Sequence, residues 1–115
     1  MANRILPGYL TQLGNKLEML FDHDGPVSYV NTGTFNTSGD IVNASDLGIG
    51  GIESLNVDGI SSDGLNYAYI EYRNGGNGNA IPLVAIHWFV LATNVEVANA
   101  VNLSTKSLRL QLRGV

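Results

Sequence analysis

The chain has 115 residues, a formal net charge of −4 and no cysteine. That length fits one domain, burying roughly two-thirds of the surface the unfolded chain exposes. Without cysteine there is no disulfide, thiolate metal site or cysteine nucleophile. Six Lys and Arg against ten Asp and Glu exclude the basic stripe that nucleic-acid binding requires.

Residues 1–8 read as an arm, because Pro7-Gly8 breaks any regular element. Ile5 and Leu6 on such an arm need cover from a partner, unless the segment is a terminal strand. Residues 9–21 carry two patterns. Leu10, Leu13, Leu17 and Leu20 recur at helical spacing, while Leu17, Met19 and Phe21 alternate with polar neighbours as in a half-buried strand. Gly14-Asn15 would weaken a helix by about 1 kcal/mol, which favours a turn there and a strand from Lys16 to Phe21. Asp22-His23-Asp24-Gly25-Pro26 reads as a turn, and Val27–Val30 as a short strand. Residues 31–40, rich in Thr, Asn, Ser and Gly, form an exposed loop in this reading. Ile41-Val42 makes a short bridge. Residues 44–48 make one helical turn ending on Gly48, which tolerates the left-handed conformation.

Ile52–Val57 is the next strand, followed by turn signals at Asp58-Gly59 and Asp63-Gly64. Leu65–Tyr72 is a strand by residue type. Residues 73–79, dense in Asn and Gly, supply the positive φ of a hairpin connection. Ile81–Ala92 is apolar at nearly every position, which predicts a central strand covered on both faces. Val95–Val101 is a shorter or bulged segment. Leu108, Leu110 and Leu112 alternate with Arg109, Gln111 and Arg113, giving one buried and one wet face. Together these elements predict an all-β fold: an antiparallel β-sandwich or barrel-like domain over 1–115. Residues 1–10 are the extended N-terminal arm, 11–115 the sandwich, and 44–48 the one short helical turn.

Charged residues make up only 14 % of the chain, well below the usual ~25 %. Its polar surface must come from Asn, Ser, Thr and Gly, which suits a protein partly covered by neighbours. The N-terminus holds no apolar run long enough for a signal peptide, and no stretch approaches the ~18 apolar residues of a membrane span. Synthesis in a cytoplasm is therefore expected.

No catalytic constellation emerges. His23 and His87 are the two histidines. His87 lies in the most apolar strand and reads as a satisfied core or interface residue, His23 as part of a solvated acidic turn. Asp22-x-Asp24-Gly25 matches the opening of a calcium loop but lacks the later carboxylates. Asn56-x-Asp58-Gly59 is similarly incomplete. Gly48-x-Gly50-Gly51 lacks the Lys-Ser/Thr of a phosphate loop. No enzyme activity, metal or cofactor is expected. Tyr67, Tyr69, Tyr72 and Trp88 could line a carbohydrate- or protein-binding face, since Tyr and Trp serve cores, interfaces and sugar sites alike.

Several segments taken in order carry a resemblance. Gly8-Tyr9-Leu10 precedes Gly14-Asn15-Lys16-Leu17-Glu18-Met19-Leu20-Phe21. Gly39-Asp40-Ile41-Val42 leads to Asp46-Leu47-Gly48-Ile49-Gly50-Gly51-Ile52. Trp88-Phe89-Val90-Leu91-Ala92-Thr93, Glu96-Val97-Ala98, Asn102–Lys106 and Leu108-Arg109-Leu110 follow. Across most of its length the chain resembles small virion structural proteins of tailed bacteriophages, of the capsid decoration (cement) type. The resemblance implies a β-sandwich subunit, a homotrimer, seated on the outside of an icosahedral shell with the major capsid protein as partner. It implies no catalytic residues, no nucleic-acid contact and no membrane. Ile5, Leu6, Tyr9, Leu10, Tyr67, Tyr69, Tyr72 and Trp88 are the candidate capsid or subunit interface. A host- or glycan-recognition module on a virion, such as a head fibre or tail component, is the competing expectation.

Overall fold

A computed structural model describes residues 3–73 and 80–115, with the side chains of 5–9 and 13 left out of the description. The protein is an all-β domain of two antiparallel sheets. Its strands are β1 (Asn3–Leu13), β2 (Lys16–Asp24), β3 (Asp40–Asn43), β4 (Ile52–Val57), β5 (Asn66–Tyr72), β6 (Leu83–Val90), β7 (Val95–Glu96) and β8 (Ser107–Gly114). The first sheet runs β1-β2-β8-β4. The second runs β3-β6-β5, with β7 also on β6.

Local chemistry explains most of these elements. Gly14 takes φ 62°, which closes the turn joining β1 to β2 and sets Leu13 opposite Lys16. The 3-10 turn Ala44–Leu47 ends on Gly48 at φ 74°, a left-handed cap open to glycine without steric cost. β8 buries Leu108, Leu110 and Leu112 and exposes the residues between them. β2 buries Met19, Phe21 and His23 and leaves the residues between them half-buried. The apolar residues of these rows join Val84, Ile86 and Trp88 of β6 in one core cluster that also holds Tyr29, Val42, Leu55 and Leu103.

The structure departs from several expectations. Residues 3–10 are not a separate arm; they belong to β1, which pairs with β2 at residues 3–5 and again from Leu10. Its register shifts between Ile5 and Leu10, where Pro7 can donate no ladder hydrogen bond. Asp22-His23-Asp24 is not a turn. It continues β2, because β8 extends far enough to pair Asp22 with Arg109 and Asp24 with Ser107. Val27–Val30 forms no strand; its backbone is held instead by loop contacts from Tyr29 to Val101 and Ala100. Of the predicted 73–79 connection, 74–79 lie outside the described residues.

β6 is central, as its composition demands, and both faces are covered. Its second face needs no sister subunit, because loop 31–40 of the same chain folds over it. Gly39 makes this approach possible. At φ 117°, a Cβ there would lie 3.1 Å from the Ala85 Cβ and 3.4 Å from the His87 ring. Ala85 and His87 are fully buried beneath it.

Leu110 is fully buried in the core, so Leu110→Ala is expected to cost about 2–5 kcal/mol. Gln111→Ala, on the wet face of the same strand, is expected to stay within about 0.5 kcal/mol of the parent. Urea denaturation of both variants checks the inward and outward assignment of β8.

Candidate functional site

Strand alternation sorts the side chains of the second sheet. Trp88, Ile86 and Val84 point into the core. Their neighbours Ala85, His87 and Phe89 pair with Glu71, Tyr69 and Tyr67 of β5 and share the outer face, because a strand's side chains alternate. Tyr67 stacks on Phe89 at 5.2 Å with an interplanar angle of 11°. Beside them, Phe35 from the 3-10 turn Phe35–Thr37 lies flat on His87 at 3.8 Å and 11°. The Phe35 ring also meets Tyr69 at 5.7 Å, tilted by 60°. Phe35 and Tyr69 remain 43 % and 57 % exposed. The result is an aromatic corner open to solvent and built on a buried histidine.

That histidine is held by two carboxylates. Its Nε2 lies 2.7 Å from Glu71 Oε1 and its Nδ1 lies 3.2 Å from Glu96 Oε2. A carboxylate can only accept, so each contact is a hydrogen bond when the facing ring nitrogen carries its proton. Glu71 also accepts from Arg73 at 3.0 and 3.2 Å. Arg73 in turn donates to the backbone carbonyls of Ser38 and Phe35. The guanidinium thereby ties the Phe35 loop to β5. Desolvation alone would raise the Glu71 pKa. Hydrogen bonds and charge from Arg73 and His87 outweigh it and hold the carboxyl below its ordinary value.

The network continues into the core. Glu96 Oε2 accepts from the Tyr29 hydroxyl at 2.7 Å. That hydroxyl accepts from the Trp88 backbone N–H at 3.1 Å. Trp88 sits where the β6 edge passes from β3, ending opposite Ile86, to β7, beginning opposite Phe89. Tyr29 fills that gap in the ladder. Burial, and then the hydrogen bond to Glu96, push the Tyr29 pKa far above its ordinary value, so it stays a donor. On the inner side, Trp88 Nε1 donates to Asp40 Oδ2 at 3.1 Å. The same oxygen lies 2.6 Å from His23 Nε2, and His23 Nδ1 lies 2.6 Å from Asn3 Oδ1. Among the described residues, no buried side-chain nitrogen or oxygen lacks a hydrogen-bond partner.

Other surfaces differ in character. The outer face of the first sheet is polar, with Arg109 on Asp22 at 3.0 Å and Arg113 on Glu18 at 2.8 Å. The hydrogen bond from Arg109, and then its charge working against burial, lowers the Asp22 pKa. At one end of the sandwich an open groove of about 660 Å³ runs between the ends of β5 and β6 and the 97–106 segment. Leu65, Leu91 and Val101 line it and are 60 %, 44 % and 40 % exposed. Lys106 is the cation on its wall, paired with Asp63 at 3.1 Å and with Asn66.

The predicted site residues separate accordingly. Tyr67 and Tyr69 share the aromatic face. Tyr72 does not; its hydroxyl both accepts from the Leu55 N–H and donates to the Leu55 carbonyl, each at 3.0 Å, which occupies the free edge of β4. Trp88 is no interface residue. It is wholly buried, because its position on β6 points between the sheets. His23 is likewise not solvated but 1 % exposed, its ring facing inward from β2. Leu10 is exposed, and the side chains of Ile5, Leu6 and Tyr9 lie outside the described residues. Sequence reasoning missed Phe35, Glu71, Arg73 and Glu96 as members of one cluster. They are far apart in the chain, and no local pattern links them.

Among the described residues, no group of three or more His, Asp or Glu is arranged to hold a metal ion. No family model matches this chain, and neither a curated protein nor a solved structure matches it.

Asp40→Ala would remove the acceptor shared by His23 Nε2 and Trp88 Nε1, and is expected to cost about 1–3 kcal/mol for each group left unpaired, read from urea denaturation by Trp88 fluorescence. Glu71 gives a second expectation. Its folded pKa is depressed, so its contribution is complete above the ordinary value of 4.5 and is lost as pH falls through the folded pKa. Glu71→Gln is expected to lower stability at neutral pH and flatten the acid limb of the stability profile. Denaturation midpoints between about pH 7 and pH 3 check the sign.

Proposed function

We propose that this chain is a virion structural protein that seats on the outer surface of a phage capsid and stabilises the assembled head by bridging capsid subunits. The observation that carries this reading is the apolar groove at the end of the sandwich. Leu65, Leu91 and Val101 expose apolar surface together, with Val95 close by on β7, 60 % exposed. Apolar side chains gathered in one open groove are surface that a partner can cover. Its walls hold little charge, and depletion of charge is the compositional mark of an interface centre. The resemblance of the sequence to capsid decoration proteins names the partner as the major capsid protein. The copies are proposed to act as a homotrimer.

The energetics suit such a role. A protein that binds the assembled shell and not its free subunits stabilises the shell by mass action. Repetition over many equivalent sites lets each contact be modest. The domain itself brings a rigid, internally satisfied core, and the groove supplies the apolar area.

Mature heads assembled without this protein are expected to bind it when it is added, and to gain resistance to heat and osmotic shock. Unassembled capsid protein is expected not to bind. Leu91→Asp is expected to abolish head binding while leaving the unfolding free energy within about 0.5 kcal/mol of the parent. Equal binding to unassembled capsid protein, or no gain in resistance on saturated heads, would sink the proposal. Native mass measurement is expected to give three copies per particle; a monomer at every concentration removes the trimer.

A further inference from the structure

We infer that the aromatic corner of the second sheet is a binding site for a neutral saccharide, with Phe35 and Tyr69 as its two walls. This goes beyond the capsid reading and uses a different surface from the groove.

Phe35 stands in a turn whose residues are all exposed, yet its ring is fixed from behind. His87 stacks under one face at 3.8 Å. The Phe35 carbonyl accepts from Arg73, and Gly39 lets the same loop close over β6. His87 is itself held at both ring nitrogens by Glu71 and Glu96. The ring is therefore preorganised and its other face is left to solvent. A binding site gains affinity when such ordering is already complete before the ligand arrives.

Tyr69 supplies the second wall at 60° to the first. Two tilted π faces with their negative quadrupoles suit the polarised C–H faces of a sugar ring. The hydroxyls of a sugar need donors and acceptors at the rim. Thr34, Asn36 and Thr37 surround Phe35 and are exposed, and the Tyr69 phenol adds another.

Charge decides between saccharides and other ligands. The ionic groups nearest the corner, Glu71 and Arg73, are paired with one another at 3.0 Å and are only 17 % and 19 % exposed. Glu96, 19 % exposed, is engaged by Tyr29 and His87. Among the described residues, the charges beside the corner are thus engaged within the chain and mostly covered, which favours a neutral ligand over a phosphate, a sulfated glycan or an amine.

The test is titration of the ¹⁵N-labelled full chain with cellohexaose, chitohexaose, maltohexaose and a mannan oligosaccharide, followed by amide shifts. At least one of these is expected to give saturable shifts at Phe35, Thr37 and Tyr69, with a dissociation constant of about 1 mM or tighter. Phe35→Ala and Tyr69→Ala are each expected to weaken it by about tenfold or more. Tyr69→Ala changes a mostly exposed side chain, so its spectrum should keep the dispersion of the folded parent. Gln111→Ala, on the opposite sheet, is expected to leave binding unchanged. The inference is overturned if no saccharide moves the Phe35 or Tyr69 amides, if both alanine variants bind as the parent does, or if heparin binds there and no neutral sugar does. Head binding is measured separately, and Leu91→Asp is expected to bind saccharide normally, so failure of one reading is distinguishable from failure of the other.

Discussion

A continuous chain of hydrogen bonds organises this domain. It runs from Asn3 through His23, Asp40, Trp88, Tyr29, Glu96, His87 and Glu71 to Arg73 and the carbonyls of the Phe35 loop. Buried polar groups are costly when left unpaired, and a fully satisfied network specifies one arrangement more sharply than apolar packing does. Each segment it touches is thereby placed relative to the others: β1 and β2 in one sheet, β3, β5, β6 and β7 in the other, and the loop across the outside. The apolar core drives collapse, but this chain sets how the sheets and loops meet.

The consequence for function is a division of surfaces. The first sheet turns a polar, ion-paired face to solvent. The second turns out an aromatic corner whose support is the far end of the network. The end of the sandwich, away from both, holds an apolar groove with little charge. A capsid contact through the groove and a saccharide contact through the corner are compatible, because the two surfaces use different residues and Tyr67 with Phe89 stands as a packed pair on the sheet between the corner and the end of β5.

The buried histidines show where residue type alone misleads. His23 stands between two aspartates, a context that reads as a wet turn. Yet in β2 those aspartates point outward to Arg109 and Arg4, while His23 points inward to Asp40. His87 gave a truer signal, since its strand is apolar on both sides of it. Even there, the cover came from Phe35 of the same chain and not from a neighbouring subunit. Trp88, an attractive interface residue by type, is the largest fully buried side chain among the described residues. One position along the strand separates a wall of the core from the outer face.

The all-β class, the turn at Gly14, the helical turn capped by Gly48 and the inward row Leu108, Leu110 and Leu112 were legible in the residues alone. Those are local properties: the conformational freedom of glycine and a side-chain period of two. Tertiary structure decided the strand order, the enclosure of His23 and His87, the use of Tyr29 to bridge a gap in the β6 ladder, and the aromatic corner. These depend on contacts between distant segments, such as Tyr29 with Glu96 across 67 positions or Trp88 with Asp40 across 48. A hydrogen bond at that separation leaves no periodic trace in the chain. It exists only after both sheets have formed and their registers have brought donor and acceptor into line.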